Sequence, residues 1–488
     1  MASIIGQALI DIVKCEVLGG EAPEPRILKQ IINTESGEGA EESGTDKPRT
    51  YIDDLIDIAE INGVSQLVAD YFAREISSAS KGAKAGEGSL AGAGAKGSQP
   101  EPLLATDSPA YRRLKEGYDA ELYRALTFGT DLSRIGMILE REGIDYIPLK
   151  GAIIRDLYPK AWMRTSMDMD ILVRESDIDR AVEAITSQPG FMKVNENGHH
   201  VLIESKTGWI IEMHFDLNAG ESKARKYLDT AWDHAKPFTE VFAKGAPSAG
   251  ASAPSAPHAS SDATASASHA RSHKCAFDHV FFYTYFIYHL SHHVYEEGGC
   301  GIRAILDLWI LNQKFGLNGF YAPIDSESKE GGFVKSALQV SVETSLANVK
   351  LLEFARKMSA IADLWFGDGT LIGASGLSEG DLEDIERFII IGGTHGTKTS
   401  SSLAAHYSAG TGRGKNRIFL SYESLSRRYR GLKGRRYLTP IYEVKRWANA
   451  LTTGGAKRAS EGYARDKSIT DDEAERISRI MQNLGLDK

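Results

Sequence analysis

The stretch LKGAIIRDLYPKAWMRTSMDMDILV, residues 149–173, contains the change of periodicity on which the fold turns. Tyr146–Leu149 is a short apolar run following Gly143 and predicts a strand, whereas Lys150-Gly151-Ala152 opens a helical pattern that continues through Ile154 and Leu157. A glycine at that point offers phosphate a backbone nest at a helix amino terminus. Met169–Val173 then predicts a second strand. Successive strand side chains alternate between faces, so Asp168 and Asp170 share one face while Met169 and Ile171 enter the core. Two carboxylates spaced in this way offer oxygen donors to a hard cation.

Downstream, Ser176–Ser187 predicts a helix capped by Ser176, and Phe191–Val194 a strand. His200–Glu204 and Trp209–Leu217 predict a hairpin around Thr207-Gly208. The whole is a small α/β (α+β) unit with a mixed sheet. Glu212, His214 and Asp216 fall on one face of the last strand. Glu212 lies between Ile211 and Met213, where an unpaired carboxylate is costly unless a site uses it, so it is the candidate third carboxylate. Its expected role is to bind a second metal or to act as base for an attacking hydroxyl. Lys150 and Arg164 are candidates for phosphate contacts, and His214 and Asp216 are either near the site or satisfied polar neighbours.

Two segments, Ser77–Pro102 and Ala243–His273, are dominated by Ala, Gly, Ser and Pro and predict flexible linkers or insertions. They suggest an amino-terminal helical lobe (1–76), a linker (77–105), the α/β catalytic unit (106–242), a low-complexity insertion (243–273), a helical domain (274–400) and a basic carboxyl-terminal helical region (401–488). Helical periodicity covers Ile4–Val17, Tyr51–Phe72, Tyr111–Glu142, Val280–Tyr295, Gly301–Lys314, Gly332–Trp365, Glu379–Ile391 and Asp471–Leu484. His289, His292 and His293 share a helix face, a spacing that suits either packing or a ligand. Arg303 and Asp307, at i and i+4, predict a structural ion pair. Arg413–Trp447 holds eleven Lys or Arg against Glu423 and Glu443, interleaved with aromatics. That leaves open a contact with an acidic polymer or anionic membrane surface, or a basic face balancing an acidic remainder.

Hydrophobic residues at 42% and charged residues at 25% describe a globular chain able to bury a core. A net charge of -9, from 57 basic and 66 acidic residues, argues against coating nucleic acid with the whole surface. Cys15, Cys275 and Cys300 form no CxxC pair and suit a reducing compartment. Met1–Leu18 lacks a basic start and carries Asp11 in its apolar run, so it predicts a helix rather than a signal peptide. The apolar run Val280–Tyr288 is too short to cross a bilayer. The expected location is the cytoplasm.

The sequence resembles the uncharacterised nucleotidyltransferase family of the DNA polymerase beta superfamily. The resemblance rests on Leu149-Lys150-Gly151, Leu157-Tyr158-Pro159, Arg164, Asp168-Met169-Asp170-Ile171-Leu172-Val173 and Ile211-Glu212-Met213-His214, with His289, His292, Gly301, Arg303 and Asp307 farther on. It spans roughly Tyr111–Leu311 without the insertion, and more weakly the amino-terminal helices and Tyr437–Trp447. It implies a polymerase beta-like fold flanked by helices and transfer of a nucleoside monophosphate from a nucleoside triphosphate, with release of pyrophosphate. The acceptor is unspecified: a small molecule, glycan, protein or nucleic acid. Magnesium, or manganese in its place, would be held by Asp168, Asp170 and Glu212, which carry catalysis. Lys150, Gly151, Ala152, Arg164 and His214 would contact nucleotide. One departure stands out: the superfamily's phosphate turn is Gly-Ser, and Gly151-Ala152 lacks the hydroxyl. That motivates an alternative, a catalytically degenerate nucleotide-binding or interaction module with the same fold. A His/Asp metallophosphohydrolase is disfavoured because no histidine is followed directly by an aspartate.

Overall fold

The computed structural model describes residues 2–34, 50–86, 103–196, 198–217, 224–242, 272–317, 335–396, 420–452 and 470–486. The amino-terminal part holds α1 (Ala2–Leu18), α2 (Pro25–Asn33), α3 (Tyr51–Ile61) and α4 (Ser65–Gly86). Thr50 starts α3, its backbone N–H donating to the Asp53 carboxylate at 3.0 Å. The single helical pattern of Tyr51–Phe72 is two helices because Gly63, at φ +66°, turns the chain between them. The expected linker from residue 77 is helical as far as Gly86, since Ala, Ser and Lys extend an existing helix more easily than they nucleate one. Residues 87–102 of that linker lie outside the described residues.

The long helix α5 (Pro109–Arg141) starts on a Ser108 cap, with Pro109 at its first position, and ends before Gly143 at φ +63°. The one-turn α6 (Gly151–Ile154) follows the first strand. α7 (Ile178–Thr186) has Asp177 at its cap position, one residue after the predicted cap, and the Ser176 hydroxyl bonds that aspartate rather than capping the helix. Two further one-turn helices, α8 (Arg225–Leu228) and α9 (Phe238–Val241), precede the insertion. Beyond it come α10 (His279–His292), α11 (Gly301–Lys314), α12 (Ala337–Asn348), α13 (Leu352–Phe366) and α14 (Glu379–Gly392). The single pattern predicted over Gly332–Trp365 breaks at Lys350, which sits at φ +60°. The chain closes with α15 (Tyr422–Arg428), α16 (Thr439–Thr452) and α17 (Asp471–Asn483).

The expected mixed sheet has five strands, β1 (Tyr146–Pro148), β2 (Asp168–Val173), β3 (Phe191–Glu196), β4 (His200–Ser205) and β5 (Ile210–His214), in the order β1-β2-β5-β4-β3. β2 and β5 are parallel, and the other pairs are antiparallel. The register sets Asp170 beside Glu212. One face of the sheet presents Met169, Ile171, Ile203, Ile211 and Met213 to α5 and α7 in a closed core. The other face looks toward the helical body.

A single apolar core joins α1–α4 to α10–α14 and α17, running from Ile5 to Leu484. The described helices of the amino-terminal lobe and of 274–400 thus share one buried core. Each apolar stripe is too narrow to be covered alone and is buried by its neighbours. Leu104, placed in the expected linker, belongs to this core as well. Residues 243–271 of the insertion lie outside the described residues. The chain is described again from Ser272, where the Tyr146 N–H donates to the His273 carbonyl at 3.0 Å.

Candidate functional site

The turn after β1 is tight. The Ala152 N–H donates to the Leu149 carbonyl at 2.9 Å, which places Lys150 at φ 41°, ψ -113°, a conformation that ordinarily calls for glycine. Strain of that kind costs about 1–3 kcal/mol and is retained where it aims a functional side chain. Here it directs the Lys150 ammonium to within 3.4 Å of Asp170 Oδ1. Gly151 is needed for another reason: a Cβ there would lie 2.5 Å from Arg164 Nη1 and 2.8 Å from Ser166 Oγ.

Alternation along β2 sends Asp168 and Asp170 out of the sheet on one face, and the parallel pairing adds Glu212. One oxygen from each carboxylate lies within 4.8 Å of the others. The His214 ring bonds Asp170 Oδ1 at 2.7 Å and Glu212 Oε2 at 3.2 Å through the same Nε2. Burial, reinforced by Asp170, pushes the Asp168 carboxyl up to about 6. Burial also opposes ionisation of Asp170, but Lys150 and the His214 bond outweigh it and hold that carboxyl well below the ordinary range. Lys150 and His214 are correspondingly shifted upward against their own burial, chiefly by Asp170. A second cluster of donor atoms, His200, Glu212 and His214, shares Glu212 and also lies within 4.8 Å. Burial draws His200 down to about 4 and His199 to about 3, so both rings are neutral near pH 7. The crowded carboxylate oxygens, with few opposing cations, suit a hard divalent ion, and the site can hold a metal.

The helical body supplies the facing wall of a cavity of about 360 Å³. Tyr285, His289 and His293 come from α10 and the π-helical turn that extends it over His293–Glu297, and Arg303 comes from α11. His293 Nδ1 bonds Glu297 at 2.6 Å, and its Nε2 meets His289 Nε2 at 3.1 Å. Burial, with Lys150 nearby, holds His289 well below its ordinary value, so that ring is neutral.

Most of the predicted site residues line this cavity, though their bonds differ from expectation in places. Lys150, Gly151, Asp168, Asp170, Glu212 and His214 all do. Ala152 does not: its side chain is in the core beneath the sheet and its amide is engaged in the turn. A serine hydroxyl at that position would face the core. Arg164 lines the cavity, but its guanidinium is bound bidentately to Asp307, with Nε and Nη2 at 2.9 and 2.8 Å from the carboxylate oxygens. The ion pair predicted for Arg303 and Asp307 is thus made by Arg164, while Arg303 donates to the Thr165 carbonyl and hydroxyl at 3.1 and 3.0 Å. Asp216 pairs with Arg225 at 2.9 Å. Sequence reasoning missed Ser166, His199, His200 and Tyr285. The doublet His199-His200 leading into an alternating strand was the available signal for two of them.

Of the basic segment, 413–419 lies outside the described residues. Arg430 and Lys433 are engaged within the protein, pairing with Asp179 at 2.6 Å and Glu175 at 3.0 Å. Among the described residues no helix is long and apolar enough to cross a membrane.

Comparison with known proteins bears directly on this site. The profile of the uncharacterised nucleotidyltransferase family matches residues 91–342, which include the turn, β2, β5 and α10–α11, and the chain belongs to that family. No curated protein and no solved structure matches the chain.

Proposed function

We propose that this member of the family is a magnesium-dependent enzyme of the cytoplasm that moves a nucleoside monophosphate from a nucleoside triphosphate to an acceptor hydroxyl or phosphate. The observation that carries the reading is the convergence of Asp168, Asp170 and Glu212 within 4.8 Å, beside Lys150 and on the wall of a cavity. Asp168 and Asp170 would hold the ion, with Glu212 completing its ligands, and manganese could replace magnesium. When bound, the ion supplies charge that offsets the triphosphate's and orients the reacting phosphorus.

The protein's own groups do the rest. Lys150 turns from Asp170 toward the phosphates, and Gly151 lets the chain approach them closely. Arg164, held by Asp307, keeps the turn and the 164–167 loop together. The acceptor oxygen bonds to the α-phosphorus as the bond to the β-bridging oxygen breaks. Pyrophosphate leaves, and the acceptor's proton passes to Glu212 or solvent. The helical wall keeps water from the reacting centre and shapes the acceptor's seat.

The test incubates the purified protein with each α-labelled nucleoside triphosphate, magnesium and a cell extract, then identifies the labelled product and measures pyrophosphate. The expected result is one labelled acceptor class and pyrophosphate release that chelation of the metal abolishes. Triphosphate binding that ignores magnesium, with no transfer, would instead support the binding-module alternative.

A further inference from the structure

The carboxyl-terminal helix α16 carries an apolar face that no described residue covers. Tyr437, just before it, is 78% exposed, Ile441 63%, Val444 69% and Trp447 41%. Ile441, Val444 and Ala448 follow one another at helical spacing and lie on one side, all exposed. The opposite side is the one that packs. Tyr442 meets the Tyr429 ring at 5.1 Å, and the buried Glu443 accepts from the Leu420 N–H and from Arg446 at 2.8 Å. The helix is therefore seated by its polar and aromatic side, with its aliphatic side outward, the reverse of an ordinary surface helix.

Charge around this face has one sign. Glu443 is the only acidic residue between Arg430 and Thr452, and it is buried. Arg435, Arg436 and Lys445 are exposed beside the apolar residues, on a chain whose net charge is -9. Arg430 and Lys433 fasten the base of this segment to Asp179 and Glu175, and both lie over the Phe215 ring at 5.5 and 5.2 Å. Phe215 directly follows the strand that bears Glu212 and His214.

We infer that α16 is an in-plane membrane anchor that docks the protein on an anionic lipid surface. Aliphatic side chains next to cations fit a bilayer interface, where Ile441 and Val444 enter the acyl boundary, Tyr437 and Trp447 sit at headgroup level and the basic groups meet lipid phosphates. A nucleic acid or an acidic glycan would use the cations and rings but has no place for Ile441 and Val444. The fastening to Phe215 sets the catalytic strand next to that surface.

The test mixes the full chain with sedimentable phosphatidylcholine vesicles, with and without one-third phosphatidylglycerol. Binding is expected only to the anionic vesicles. It should fall about ten-fold or more in Ile441→Gln/Val444→Gln, because each side chain gives up apolar burial, and also in Arg435→Gln/Lys445→Gln. Both substituted pairs are exposed, and unchanged melting temperatures establish that the variants fold. Wild-type binding that is equal on neutral vesicles, absent altogether, or insensitive to Ile441→Gln/Val444→Gln overturns the inference. So does a self-association that this double variant abolishes, which would assign the face to a second copy, or polyanion binding in the absence of vesicle binding.

Discussion

Two sets of acidic side chains line the same cavity and are treated in opposite ways. Asp307, 2% exposed, is fully answered: Tyr158 donates to Oδ1 at 2.7 Å, and the Arg164 fork spans both oxygens. On the sheet side, Asp168, Asp170 and Glu212 crowd together, with Lys150 on Asp170, His214 dividing one nitrogen between Asp170 and Glu212, and His200 3.6 Å from Glu212. The imbalance pushes Asp168 up to about 6, first through burial and then through Asp170. A satisfied buried charge supports architecture, whereas a crowded one is costly to keep and is a candidate for a ligand site.

The strongest way to break this distinction is Asp170→Asn. Turnover, read as pyrophosphate release, should drop by at least about a thousand-fold, as losses of transition-state charge stabilisation do. The protein should stay folded but with a lower melting temperature, because Lys150 and His214 lose the buried charge that each of them pairs with. Turnover close to wild type would show that the crowded carboxylates are not the reacting centre.

Asp307→Ala is the mirror experiment, with its main effect on stability. It leaves the Arg164 guanidinium buried without its partner, which costs about 3–5 kcal/mol. Urea denaturation measures this, and a loss below about 1 kcal/mol would mean the pair is no more structural than a surface bridge.

The two groups also differ in how visible they were from sequence. The sheet group follows local rules: alternation puts Asp168 and Asp170 on one face, and Glu212 betrays itself as a carboxylate inside an apolar strand. The Asp307 group does not. Arg164 and Asp307 are joined across distant segments, and the only local cue, the i and i+4 spacing of Arg303 with Asp307, names the wrong arginine. Ala152 misled for a related reason, since a one-turn helix leaves no period from which to tell that its side chain faces the core. The merging of the amino-terminal helices with α10–α14 was equally hidden, because apolar stripes reveal that a face is buried but not against what.

Glu16 is an intermediate case, and it turns the comparison into a pH dependence. Its side chain is 3% exposed, close to Arg74, and burial with Asp70 nearby outweighs that arginine and pushes the carboxyl up to about 7 from an ordinary value of 4.5. An acid that binds its proton more tightly when folded stabilises the native state below the unfolded value, and that contribution is lost as pH rises through the folded one. Wild-type stability should therefore fall between about pH 4.5 and 7. Glu16→Gln should remove the decline, leaving the variant about 1–2 kcal/mol better placed at pH 8 than at pH 5 relative to wild type, once solvent screening is allowed for. Paired urea titrations at the two pH values decide it, and parallel pH responses would show that Glu16 is answered like Asp307.

The smallest effect asks how completely Asp307 is satisfied. Tyr158→Phe removes one donor but leaves the arginine fork in place, so Asp307 remains paired. One hydrogen bond to a charged group in such a network is worth about 1–2 kcal/mol, and the phenyl ring keeps the packing that the buried tyrosine provides. A loss near 1 kcal/mol with normal triphosphate affinity confirms that the Asp307 group has donors to spare. A loss approaching that of Asp307→Ala would show instead that the hydroxyl positions the guanidinium, in which case the Asp307 group is as finely balanced as the sheet group.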